Sequence, residues 1–254
     1  MDAYAKAFWL PKDGSSDGEY EDACFPRKER RYRGTKPLRF AIADGATEAS
    51  YSRLWARLLV RAFVRGKLDL SLSSECLGAL QAAWNERVRK KQLPWYAEEK
   101  LASGAFSSLL VLEMAEDGTE TRGAKLWRVA AVGDSCLVQV RGEHIVTAFP
   151  LTECKSFDNS PNLLSSMASM NGERETLIRT SEGVCCSDDT LLLMTDALAC
   201  WFFRESEAGG KPWNTLRDLD TEGGVSFQNL IFGLREDGSM KNDEVTLLLI
   251  DVVV

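Results

Sequence analysis

Acidic residues recur where an apolar run stops or is about to start. Glu21 and Asp22 precede the first firm strand, Asp44 follows Phe40-Ala41-Ile42-Ala43, and Asp134 follows Val129-Ala130-Ala131-Val132-Gly133. Asp196 follows Leu191-Leu192-Leu193-Met194-Thr195, and Asp243 precedes Glu244-Val245-Thr246-Leu247-Leu248-Leu249-Ile250. Strands that end this way seat carboxylates at one rim of a sheet without burying them unpaired. Oxygen donors of this kind suit hard divalent cations. Magnesium and manganese take octahedral oxygen sites in which a few carboxylates leave several positions to water, and a pair of such ions can ready a hydroxide while clamping a phosphoryl group.

Other chemistries find less support. The single histidine, His144, lies in Arg141-Gly142-Glu143-His144-Ile145, a hairpin turn running into a strand. One histidine cannot build a multi-histidine metal site, and no residue is marked as a nucleophile for it to activate. Gly209-Gly210-Lys211 is followed by Pro212 instead of Ser or Thr and lacks the earlier glycine of a phosphate-binding loop. The seven cysteines are odd in number and contain no C-x-x-C pair, so they read as reduced thiols in a reducing compartment.

The elements that must position the carboxylates can be read from periodicity. The pattern predicts a strand over Leu38 to Ala43, broken by the turn-forming Asp44-Gly45, and then almost at once a helix from Tyr51. That helix carries Leu54, Trp55, Leu58, Leu59, Ala62 and Phe63 on one side and Arg53, Arg57, Arg61 and Arg65 on the other. A second helix is predicted over Ser74 to Lys91, capped by Ser74, with Leu77, Leu80, Trp84 and Val88 buried; helical content is expected to concentrate here. Further strands are expected over Phe106 to Met114, Lys125 to Val132, Leu137 to Arg141, His144 to Phe149, Thr190 to Thr195 and Glu244 to Val254, joined by hairpin-sized gaps that favour antiparallel pairing. Cys154 to Gly172 and Glu205 to Gly224 read as loops leaving that sheet.

At 254 residues and 44% hydrophobic content the chain can bury a sizeable core, and one α+β domain spanning 1–254 is expected. The formal charge of -7 disfavours nucleic acid as a partner. No apolar run reaches the ~20 residues a membrane helix requires, so a soluble, cytoplasmic protein with no membrane partner is expected.

Taken in order, these motifs resemble those of the type 2C, metal-dependent protein phosphatase family in its bacterial-type branch. Glu19-Tyr20-Glu21-Asp22-Ala23 resembles the early acidic motif, Ala43-Asp44-Gly45 the central Asp-Gly turn, and Val132-Gly133-Asp134-Ser135 the Gly-Asp-Ser turn. Leu191 to Asp196 resembles the apolar strand ending in Ser-Asp-Gly, and Asn242-Asp243-Glu244-Val245-Thr246 the closing Asp-Asn-x-Thr motif. The resemblance implies a four-layer αββα sandwich, two antiparallel sheets flanked by helix pairs, with the site at one edge. It implies that Asp44 bridges two Mg2+ or Mn2+ ions and that the Gly45 carbonyl adds a ligand. Asp22 or Glu21 would act through bound water, Asp196 and Asp243 would complete the pair, and Asp134 with Asp196 would hold a looser third ion. Metal-activated water would then attack the phosphorus in line, with Asp44, Asp196 and Asp243 as the catalytic set. The implied role is a signalling hydrolase acting on a phosphoserine or phosphothreonine protein from a serine/threonine kinase pathway.

This sequence departs from the family pattern in several places. Ala46 stands where some members carry a histidine general acid, Ala197 where glycine usually follows the aspartate, and Glu244 where asparagine is usual. Asp17 maps near the position of the phosphate-binding arginine; Arg27, Arg30, Arg31 and Arg33 are nearby substitutes, although a solvated basic face is the simpler reading of them, and no substrate-binding residue is assigned. These departures motivate one alternative, an inactive relative serving as a protein-binding regulatory module; a hydrolase for small phosphorylated metabolites is a further one.

Overall fold

The computed structural model describes residues 2–46, 51–90, 103–116, 125–157, 161–172, 177–219 and 225–253. Its apolar runs pair into two large sheets. The first has six strands in the order β3 (Arg30–Tyr32), β1 (Asp2–Leu10), β13 (Val245–Val253), β12 (Asp189–Met194), β8 (Cys136–Arg141) and β9 (His144–Phe149). The second has five, β11 (Arg179–Cys185), β7 (Lys125–Val132), β6 (Leu109–Glu116), β4 (Leu38–Ala43) and β2 (Ala23–Phe25). A short pair, β10 (Leu164–Ser165) with β5 (Phe106–Ser107), stands apart. Every ladder is antiparallel.

Side chains alternate across each strand, and here both faces are covered. In β12, Leu191 and Leu193 point to the opposite sheet while Leu192 and Met194 point to helices; in β13, Leu248 and Ile250 divide from Leu247 and Leu249 in the same way. Two-sided burial explains why these strands are unbroken apolar runs. Helices α1 (Ser52–Val64) and α2 (Ser74–Arg89) cover the five-stranded sheet through Trp55, Leu59, Phe63, Leu77 and Trp84. Helices α3 (Asp196–Glu207), α4 (Pro212–Arg217) and α5 (Val225–Glu236) cover the six-stranded sheet through Phe202, Trp213 and Phe227. Phe40, Leu110, Trp127, Leu193 and Ile250 fill the space between the sheets. Each such large side chain contributes roughly 2–3 kcal/mol on burial. The result is the four-layer αββα sandwich expected of the resemblance. Among the described residues no helix is long and apolar enough to cross a membrane.

Several expectations are corrected. The run Phe106 to Met114 is two strands, because Ser108 leaves the ladder to bind Asp44. The cap of α2 is Ser73, whose hydroxyl accepts from the Cys76 amide at 3.4 Å, and the helix ends at Arg89, with Lys91 outside the described residues. Helix is not concentrated in the first half: α3, α4 and α5 follow β12. Glu205 to Gly224 is no simple loop, since it holds the end of α3 and all of α4; residues 220–224 lie outside the described set. Cys154 to Gly172 holds two single-turn helices, Cys154–Ser156 and Ala168–Met170, and β10, with residues 158–160 also outside that set.

Candidate metal centre

The ladder registers bring the acidic residues to one rim. Ala23 opposes Ala43, so Asp22 and Asp44 emerge side by side from β2 and β4. Val132 opposes Leu109, placing the Gly133-Asp134 turn beside Ser108. Cys136 and Leu247 both oppose Met194, so the ends leading to Asp134, Asp243 and Asp196 lie together. Glycine is needed at two of these turns. A Cβ on Gly45 would fall 2.9 Å from the Glu21 carbonyl oxygen, so only glycine lets the Glu21-Asp22 loop close on Asp44. Gly133 has φ +97, and a Cβ there would fall 2.7 Å from that of Ser108.

Each carboxylate is held by named neighbours. The Asp44 amide donates to Ser108 Oγ at 3.1 Å, the Ser108 amide donates to the Asp44 carbonyl at 2.8 Å, and the Ser108 and Ser135 hydroxyls share a hydrogen bond of 2.7 Å. Asp22 is fully buried and its Oδ2 accepts from the Thr246 hydroxyl at 2.6 Å; the Tyr20 hydroxyl in turn bonds Thr246 Oγ1. Glu244 Oε2 accepts from the amides of Glu21 and Asp22 at 2.7 and 3.2 Å, holding their loop in place. Asp196 opens α3, where its Oδ1 accepts from the Ala197 amide at 2.6 Å, a favourable place for an anion. Asp243 Oδ1 accepts from the Glu244 amide at 3.0 Å, and its Oδ2 pairs with Lys241 Nζ at 3.0 Å.

The electrostatics are those of crowded negative charge. Burial, then the charges of Asp22, Asp196, Asp134 and Asp243, push the Asp44 carboxyl well above the usual range. Burial followed by Glu244 raises Asp22, burial followed by Asp243 raises Asp196, and burial raises Glu244. Asp22 Oδ1 and Glu244 Oε1 are buried with no hydrogen-bond partner, a costly arrangement unless something positive meets them. Among the described residues no three His, Cys, Asp or Glu side chains close on one point as a complete ligand group. A donor set made wholly of oxygens fits hard cations such as magnesium and manganese better than a metal that prefers nitrogen or sulfur.

The candidates Glu21, Asp22, Asp44, Gly45, Asp134, Asp196 and Asp243 therefore share one rim. His144 does not: it is exposed, across the turn from Arg141 at the far end of β8. Sequence reading missed the supports Ser108, Ser135 and Tyr20, and Thr195, whose hydroxyl accepts from the Thr246 amide at 2.9 Å, and it gave no role to Thr246. Tyr20, Ser135, Thr195 and Thr246 carried a signal, since each lies inside a motif quoted above; Ser108 has no distinctive pattern.

A family model described as Protein phosphatase 2C matches residues 17–228. Among solved structures, the chain is similar to the Mycobacterium tuberculosis serine/threonine phosphatase PstP/Ppp, with 15% identity, a TM-score of 0.62 and complete coverage of both chains. A structure of the PstP catalytic domain in complex with 2 manganese ions matches at 16% identity and TM-score 0.59, again across both whole chains. The S. agalactiae serine/threonine phosphatase matches at 14% identity and TM-score 0.54, covering 98% of this chain and 99% of that one. A sequence comparison with curated proteins finds no match.

Proposed function

The chain belongs to the protein phosphatase 2C family, and from that premise we propose that it is a metal-dependent hydrolase of phosphoserine and phosphothreonine in proteins, the substrates being made by a serine/threonine kinase. What supports the reading is the convergence of Asp22, Asp44, Asp134, Asp196 and Asp243, whose charges act on one another across a single rim. Asp44, Asp196 and Asp243, with the Gly45 carbonyl and with Asp22 or Glu21 through water, would hold two ions, and Asp134 with Asp196 a third. When bound, Mg2+ or Mn2+ supplies Lewis-acid activation of water and neutralises phosphoryl charge.

The chain's own groups prepare that site. The Thr246 hydroxyl keeps Asp22 pointed at the rim, Ser108 fixes the backbone of Asp44, and the first turn of α3 holds Asp196. The Thr246 hydroxyl and the Ala197 amide donate to the carboxylates themselves, which limits how far these recoil, whereas Ser108 binds only the backbone of Asp44. No histidine of the chain serves the leaving group, because Ala46 follows the Asp-Gly turn and His144 lies on a remote hairpin. Turnover should therefore favour leaving groups of low pKa, such as an aryl oxide, over the alkoxide of serine or threonine.

Manganese-dependent hydrolysis of an aryl phosphate and a phosphothreonine peptide tests the proposal. The parent protein is expected to turn over both, and Asp44→Asn and Asp196→Asn to lose about 10²–10³-fold, the worth of several kcal/mol of transition-state stabilisation. Equal, near-zero rates in all three proteins would leave the second reading, a non-catalytic partner-binding relative. One contact favours that reading: Lys241 already pairs with Asp243, where it competes with a cation.

A further inference from the structure

Away from the acidic rim, two thiols are in contact. Cys154 Sγ and Cys200 Sγ lie 2.9 Å apart, both half-buried and both free. Cys154 opens the single-turn helix Cys154–Ser156 that follows β9, and Cys200 lies within α3. The turn is held on the helix by the Cys154 amide, which donates to Glu207 Oε1 at 2.8 Å, and by the ring contact of Phe157 with Phe203 at 6.1 Å. The Arg204 guanidinium lies beside the pair, and on Cys200 it works against the rise that burial causes. The other cysteines are placed differently: Cys24, Cys136 and Cys185 are buried, Cys76 is half-buried, and Cys186 is exposed.

From this juxtaposition we propose that Cys154 and Cys200 are a modification site, closing to a reversible disulfide when the protein meets a hydroperoxide. A disulfide bond is about 2.0 Å long, so the sulfurs need approach by only about a further ångström, within the reach of side-chain torsions. In the first step the Cys154 sulfur attacks one oxygen of hydrogen peroxide; the O–O bond breaks, the other oxygen leaves as water with the Cys154 proton, and Cys154 becomes a sulfenic acid. In the second the Cys200 sulfur attacks the Cys154 sulfur; the S–S bond forms, the S–O bond breaks, and the oxygen departs as a second water with the Cys200 proton. Two thiols lose two electrons in all, and the peroxide gains them. Burial, then the neighbouring Cys154 sulfur, push the Cys200 thiol up to about 11, which suits it to the second, proton-delivering step. Exchange with an added dithiol reverses the linkage. The bond would fasten the segment after β9 to α3, and it stands independently of the catalytic reading.

The test is peroxide treatment of the folded protein, followed by alkylation, denaturation and mass mapping. The expected product has lost the mass of a pair of hydrogen atoms and contains one cross-linked peptide joining Cys154 to Cys200, absent in Cys154→Ser and in Cys200→Ser, retained in Cys186→Ser, and removed by dithiothreitol. Because a serine variant at a half-buried site can fail to fold, parent protein unfolded in guanidinium before oxidation serves as a second arm, and there the Cys154–Cys200 pairing should fall to a minor share. Finding both thiols singly alkylated in the folded parent overturns the proposal. So does a cross-link that instead joins either one to Cys186, or an equal yield of the pairing from the unfolded chain.

Discussion

Thr246 shows how much of the candidate site depends on one hydroxyl. It donates its one proton to Asp22 Oδ2 and so accepts from Tyr20, while the second oxygen of that buried carboxylate has no partner. Thr246→Val keeps the shape and removes the donor, so it should cost about 1–3 kcal/mol, with Thr246→Ser close to the parent; denaturant unfolding measures both, and indistinguishable midpoints would mean the hydroxyl is idle. Gly45 makes the complementary case. Gly45→Ala forces a methyl group against the Glu21 carbonyl, so manganese affinity by calorimetry should fall about 10-fold or more, as when groups supporting a metal ligand are disturbed. The aspartates themselves were legible in the sequence, because each sits at the abrupt end of an apolar run. Their supports were not: Ser108 looks like any serine, Ser135 reads only as the end of the Gly-Asp-Ser turn, and only the fold shows that they meet at 2.7 Å.

At the scale of elements, legibility followed burial. β4, β7 and β9 begin and end where the apolar pattern says, since each is bounded by turn residues. β11 was missed because it is a polar edge strand whose pairing rests on features such as Gly183, where a Cβ would strike the Trp127 ring at 2.5 Å. α3 was missed for the opposite reason. Ala197, Leu198, Ala199, Trp201, Phe202 and Phe203 are all buried, so its first turns show no polar face from which to read a helical period. β1 hides its alternation in alanines, with Ala3 and Ala5 as inward residues. One tie between elements should be testable by itself. Fully buried Asp189 of β12 receives Arg141 of β8 at 2.7 Å, Gln139 at 2.7 Å and the Cys186 amide at 2.8 Å. Burial would raise its carboxyl, but these donors hold it below the usual range. Asp189→Ala removes the acceptor for all of them and should destabilise the fold by about 3 kcal/mol; a urea midpoint equal to the parent's would contradict it.

For the whole molecule, the sign of the pH dependence follows from which acids are raised. Asp22, Asp44, Asp196 and Glu244 have folded values above their ordinary ones, so the stability they lend is complete below the usual carboxylate range, near pH 4, and is lost as pH rises through the raised values. Asp189 is lowered and acts in the other direction, as do the exposed Glu19, Glu86, Glu143 and Asp237, whose effects solvent screens. The rim should dominate. Without divalent cations the melting temperature is expected to fall from weakly acidic to neutral pH, and added manganese should restore it by binding only the folded form; a metal-free melting curve that rises steadily over that interval would count against the crowded rim. Sheet topology adds a consequence in time. β13 pairs on one side with β1, from Asp2 opposite Val253 to Leu10 opposite Val245, and on the other with β12. During synthesis both neighbours must wait with open edges for β13 to leave the ribosome, and Asp22 waits with them for Glu244 and Thr246, so the acidic rim takes shape only after the strands it joins.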